Sequence, residues 1–174
     1  MEHYYYLGLD LFTLSFPLLR SFEPKLQYWR KWPGLFTGIA VMAAIFISWD
    51  AIFTANGVWG FNDRYLVGPR FFGMPMEEWL FFIVTPYSCV FIYEALRYYV
   101  RRDILGKVAR PLSLLLIATL LVVGVLYIDR LYTAITFLST AALLALHVFV
   151  LKSPYLGRFY MGYAVSLVPF FLMN

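Results

Sequence analysis

Residues Gly73 to Glu94 read GMPMEEWLFFIVTPYSCVFIYE, a proline and two adjacent acids followed by an apolar, aromatic run with no charge until Glu94. A run of this kind suits a helix crossing a bilayer, which takes about 17–25 residues. The pattern therefore predicts a helix over Glu78–Val100. Working outward, comparable runs recur at Tyr4–Leu19, Gly34–Asn56, Pro111–Ile128, Leu131–Leu151 and Arg158–Asn174. Of the 174 residues 62% are hydrophobic and 14% charged, against roughly a quarter charged in soluble domains. The expectation is an all-α, polytopic transmembrane bundle of about six helices. No basic segment precedes the first run, so it is expected to stay as a helix and not be cleaved as a signal peptide, although Asp10 and Pro17 interrupt it.

The charges alternate. The first, third and fifth loops hold eleven of the 14 basic residues, among them Arg20, Lys31, Arg101, Arg102, Lys107, Arg110 and Lys152, whereas the second has only Arg64 and Arg70 and the fourth only Arg130. Short cytoplasmic loops keep Lys and Arg, so the N-terminus is predicted outside with loops one, three and five cytoplasmic. The net charge of +4 thus reflects topology and contact with anionic headgroups, not nucleic-acid binding. Cys89 has no partner for an internal disulfide and is expected to be a packed, inert thiol.

The second loop, Gly57 to Glu77, is about 20 residues long and rich in Gly, Pro and aromatics, and loops of that length are usually functional or disordered. Trp59, Phe61, Tyr65, Phe71 and Phe72 argue for order, at a membrane interface or folded back between helices. Aligning Asn56 with Asn174 pairs Ser48 with Ser166 and Phe53 with Phe171. On that faint likeness the chain reads as a first repeat over residues 1–105, with an acidic loop at 57–78, and a second over 106–174 that stops before its own acidic loop.

Acids and histidines at membrane depth are few: Asp10, Asp50, Glu77, Glu78, Glu94 and His147. Each costs about 2.5–3.5 kcal/mol to insert and is a site candidate by default. Glu94 is explained by Arg97 one turn on, and His147 by the helix end. With His3 the only other histidine no metal cluster is predicted. The topology gathers Asp10, Asp50, Glu77 and Glu78 toward one end of the bundle. The stretch PMEE is also a good helix start, since proline suits the first turn and acids there favour the helix dipole by about 0.3–1 kcal/mol. Adjacent helical residues project about 100° apart, however, so at least one of Glu77 and Glu78 faces packed aromatic surface such as Phe81 or Phe82. A carboxylic acid kept neutral in apolar surroundings is a proton donor. Ring faces stabilise a nearby cation by about 0.5–2 kcal/mol each. Such a site suits protonating an alkene and holding the carbocation, with the second acid orienting the donor, pairing with Arg64 or Arg70, or taking a proton back.

The PMEEW stretch, with NGVWGFND before it, resembles the membrane-integral lycopene cyclase domain and its Pro-x-Glu-Glu/Asp pattern over about Asn56 to Glu94. The resemblance implies redox-neutral cyclisation of the linear ends of lycopene, or another linear carotenoid, to β-rings within the bilayer. It marks Pro75, Asn56 and Asn62 as motif positions and Glu77 and Glu78 as catalytic. Asp50, Trp59, Phe61, Phe71, Phe72, Phe81 and Phe82 are the candidate substrate-binding residues. No cofactor is predicted, and no Gly-x-Gly-x-x-Gly offers a flavin site, while an indirect nicotinamide or flavin requirement stays open. Single-chain members of this family carry two such domains, so a second cyclase subunit or a homo-oligomer is an expected partner. A carotenoid-binding, non-catalytic subunit completed by another chain is the alternative. A prenyltransferase is disfavoured, because no two aspartates lie within a helical turn to hold magnesium and diphosphate.

Overall fold

The computed structural model describes residues 2–173 and is all-α apart from one short hairpin. Six helices follow in order: α1 (Tyr5–Arg20), α2 (Trp32–Ala55), α3 (Met76–Tyr99), α4 (Gly106–Leu126), α5 (Leu131–Ala145) and α6 (Leu156–Met173). Among the described residues four segments are long and apolar enough to cross a membrane: Tyr28–Ala55, Met76–Tyr99, Gly106–Leu126 and Leu131–Val150. Helices dominate because a bilayer offers backbone groups no hydrogen-bonding solvent, so each segment must satisfy its own. Asn174, invoked in the repeat alignment, lies outside the described residues.

The chain divides into two compact units, one of α1–α3 with the α6 residues from Val165 onward, the other Val100–Ala164. In the first, α1 and α3 run parallel and are joined by side-chain hydrogen bonds at three levels. Pro17 lies inside α1 and has no N–H to give the Thr13 carbonyl. Ser88 Oγ donates to that carbonyl at 3.2 Å. Nearer the α3 N-terminus Tyr6 bonds Glu78, and beyond the end of α1 Ser21 Oγ lies 2.5 Å from the Tyr87 hydroxyl. The apolar core sits there. Tyr28, Ile39, Tyr87 and Phe91 are buried together, with Tyr28 meeting Tyr87 and Phe91 edge to face at 5.3 and 5.4 Å. Lys31, just before α2, pairs with Glu94, whose other carboxylate oxygen is 3.7 Å from Arg97.

In the second unit α4 and α5 form an antiparallel hairpin. Gly124 lets them close: a Cβ there would meet Leu138 at 2.8 Å, and small residues at such crossings bring helix backbones together. Gly157 serves the first turn of α6 likewise, since its Cβ would lie 2.6 Å from the Gly106 nitrogen. Ser113 and Tyr160 share a buried hydroxyl pair at 2.6 Å.

Some details differ from the sequence expectation. The third helix begins at Met76, not Glu78, which brings both glutamates into its first turn. The fourth begins at Gly106, with Pro111 inside it; a proline within the first two turns disturbs few hydrogen bonds. The fifth ends at Ala145 and continues as a π-turn over Leu146–Val150, with Leu151 N bonded to Leu146 O at 2.9 Å. Cys89 is exposed rather than enclosed, because it lies on the face of α3 away from the buried Val84, Tyr87, Ser88 and Phe91, with its thiol hydrogen-bonded to Ser166.

Candidate functional site

The second loop folds back over the N-terminal end of α3, and its turns are legible residue by residue. Helix α2 ends in a Schellman motif: Gly57 takes φ +69°, its N–H bonds Thr54 O, and Val58 N bonds Phe53 O, both at 3.0 Å. The reversal lays Trp59 on α2. Its ring lies 5.0 Å from that of Phe53, and its Nε1 donates to Asp50 Oδ1 at 2.7 Å. Asn62 then caps a 3-10 turn over Asp63–Tyr65 by accepting from Arg64 N at 3.1 Å. A hairpin follows, β1 (Arg70–Phe71) pairing antiparallel with β2 (Met74–Pro75). Its tip is Phe72 and Gly73, both at positive φ, the type I′ geometry that suits a two-residue hairpin. Buried Met74 and Pro75 lead directly into α3.

This arrangement encloses Glu77 completely, and the Val67 backbone N–H donates to its Oε1 at 2.7 Å. Glu78, one residue on, is half-buried and accepts from the Tyr6 hydroxyl at 2.7 Å. Asp10 and Asp50 are buried as well, each 5% exposed. Asp10 lies within electrostatic range of both glutamates, and Glu78 within range of Asp50. One oxygen each of Asp10, Asp50 and Glu77 is buried without a hydrogen-bond partner. Four carboxyl groups thus meet in the first unit.

No cation joins them through loop two. Arg64 pairs with Glu2, and Arg70 with Asp63 and the Gly73 carbonyl. The pairing of Arg64 or Arg70 with the Glu77–Glu78 pair that the sequence allowed is therefore not what forms. The exposed Arg64 guanidinium holds the Glu2 carboxyl below the usual carboxylate range and is itself raised by it. Among the described residues no group of three or more His, Cys, Asp or Glu is arranged to hold a metal ion.

The other sequence candidates separate into three places. Trp59 and Asp50 touch each other; Phe61, Phe81 and Phe82 are half-buried, with the last two 5.7 Å apart on α3. Phe71 and Phe72 are exposed at the hairpin tip, near Trp79 at 6.4 and 6.1 Å. Pro75 is buried in β2, while Asn56 and Asn62 are exposed capping residues, Asn56 Nδ2 donating to Ile52 O at 2.7 Å.

Two participants escaped the sequence reading, Tyr6 and the Val67 N–H. Tyr6 stands four residues before Asp10 and so on the same helix face, a spacing that pointed to it. Removing its hydroxyl removes one hydrogen bond to Glu78, an interaction worth about 0.5–1.5 kcal/mol. Tyr6→Phe is expected to leave the protein folded and to lower its stability by about 1 kcal/mol, measured by unfolding of the purified protein in a fixed detergent mixture.

Fold and site together define a multi-helix membrane protein with an acid cluster enclosed at one end of a helical unit. The chain belongs to the lycopene cyclase family, whose profile matches residues 3–96 and 129–174, the whole acid cluster included. It is similar to the bifunctional lycopene cyclase/phytoene synthase of Leptosphaeria maculans, 38% identical over 58 residues covering 33% of this chain and 10% of that protein. The protein of the same name from Neurospora crassa is 36% identical over 60 residues, 34% of this chain and 10% of its own length. The one from Aspergillus oryzae is 28% identical over 119 residues, 63% of this chain and 20% of its own. The matches thus span about a tenth to a fifth of the length of these relatives. No solved structure matches the chain.

Proposed function

We propose that the protein cyclises the linear ends of lycopene, or of a closely related linear carotenoid, to β-rings within the membrane. The observation that carries this reading is the pair of an enclosed Glu77 and a half-buried Glu78 with Asp10 and Asp50 beside it, in a chain of the lycopene cyclase family.

The reaction is an isomerisation. A proton adds to the terminal double bond, a neighbouring double bond attacks the resulting cation to close the ring, and the ring cation returns a proton to the carboxylate left by the donor, so that the product differs from the substrate by no net change in atoms or electrons. Glu78 supplies the proton: it is the half-buried member of the pair, within reach of a bulky substrate, and Tyr6 fixes its rotamer. Glu77 cannot touch substrate while fully enclosed. It anchors the loop through Val67 and stands beside Asp10 in the acid cluster. Trp59, Phe61, Phe81 and Phe82 offer ring faces to the same cation; Phe71 and Phe72, at the hairpin tip, are assigned to the surface where the polyene enters. Nothing in this scheme consumes a nicotinamide or flavin.

The charge distribution supports a topology with the N-terminus and the acid cluster outside and the first, third and fifth loops cytoplasmic. The two-repeat reading, 1–105 and 106–174, belongs to the same proposal, with a second cyclase subunit or a second copy as the partner it calls for. The test is expression in a lycopene-accumulating host, with and without a second cyclase chain. β-Carotene from this chain alone supports a stand-alone enzyme, and β-carotene only with the second chain supports half of a shared site. Lycopene left unchanged in both, with the protein confirmed in the membrane, overturns the proposal.

A further inference from the structure

A second polar feature lies in the other unit. Arg110, His147, Lys152 and Ser153 line a cleft of about 510 Å³ together with Gly106 and Gly157, a volume ordinary for small-ligand sites. The local folding explains its shape. The π-turn at Leu146–Val150 widens the end of α5, Lys152 follows at φ +46°, and Ser153 N closes the turn on His147 O at 3.0 Å. Gly157, which has no room for a side chain, seats the first turn of α6 against Gly106.

The charge here is one-sided. Arg101, Arg102, Lys107, Arg110, Lys152 and Arg158 belong to this end of the unit, with Asp103 as the one nearby acid. The Asp103 carboxylate packs against Gly106 and Gly157 and does not line the cleft. Among the described residues neither Arg110 nor Lys152 is in an ion pair. The level in the bilayer is also fixed, because α4 starts and the membrane-length α5 segment stops here, and helix ends mark where acyl chains give way to headgroups.

We infer that this cleft binds the phosphate of an anionic phospholipid, Arg110 and Lys152 pairing with the charge and His147 and Ser153 offering hydrogen bonds. Basic pockets at helix ends are a recurring way of holding such headgroups. The inference does not depend on the cyclisation chemistry.

The test uses the purified full chain in neutral detergent and follows thermal unfolding and binding as short-chain phosphatidylglycerol is added. Phosphatidylcholine of the same chain length and inorganic phosphate are run in parallel. Saturable stabilisation by phosphatidylglycerol is expected, with at least tenfold weaker binding in the R110Q/K152Q double variant and little change in R102Q/K107Q, whose side chains lie outside the cleft. Helical circular dichroism checks that both variants fold, and the single variants R110Q and K152Q replace a double variant that does not. Equal binding of the two phospholipids, or equal loss in R102Q/K107Q, overturns the site. Equal stabilisation by inorganic phosphate overturns the lipid as its source.

Discussion

Glu78→Gln is expected to lower β-ring formation by about 10²–10⁴-fold, the usual contribution of a positioned general acid, while protein level and helicity stay unchanged. Gln keeps the shape of the side chain and can still accept from Tyr6, so what is lost is the proton. Glu77→Gln is expected to reduce turnover too, by a smaller factor of roughly 10, because it replaces one carboxyl oxygen of a preorganised site by an amide nitrogen. Its amide oxygen can still accept from Val67 N–H and hold the loop. Carotenoid extracts from a lycopene-accumulating host in which the unsubstituted protein is active give the measurement directly. Full activity in both variants would remove the acid from this mechanism, and a Glu77 effect larger than the Glu78 effect would exchange their roles.

The second large effect concerns stability. Tyr28 has no exposed surface, meets Tyr87 and Phe91 edge to face, and donates to Tyr87 O at 3.0 Å. Tyr28→Ala empties the centre of the first unit and is expected to cost about 3–5 kcal/mol, as for other large aromatic truncations. Tyr28→Phe loses only the hydroxyl, about 1 kcal/mol. Unfolding of the two variants in a fixed detergent mixture compares them. Equal costs would mean that the hydrogen bond, and not the ring, holds this core.

The helices were readable because a bilayer imposes one length and one composition on them, and a run such as Pro111–Ile128 fits both. Their ends were less so. Gly106 to Arg110 carries two cations and reads as loop, yet the backbone continues as helix through Pro111, since charges near a helix end reach water without leaving the helix. At the site, the types and order of residues pointed to the glutamates and to Asp50. What holds them is another matter. The donor to Glu77 is a main-chain N–H, which no residue type reveals, and Tyr6 contacts Glu78 only because α1 and α3 pack side by side across 72 positions of sequence. The two arginines of loop two looked like partners for the acids but pair with Glu2 and Asp63 instead, because the 3-10 turn leaves Arg64 exposed and the hairpin leaves Arg70 so.

The hydrogen bond from Ser88 to the carbonyl left open by Pro17 has a bearing on how the protein is made. As the chain emerges, α1 carries an acid and a proline, and at 16 residues it measures about 24 Å, so on its own it is a poor passenger for the insertion machinery. The groups that complete it are synthesised some 75 residues later. The first helix therefore acquires its final place only once the third has arrived, and assembly of this unit follows pairing in space, not order of synthesis.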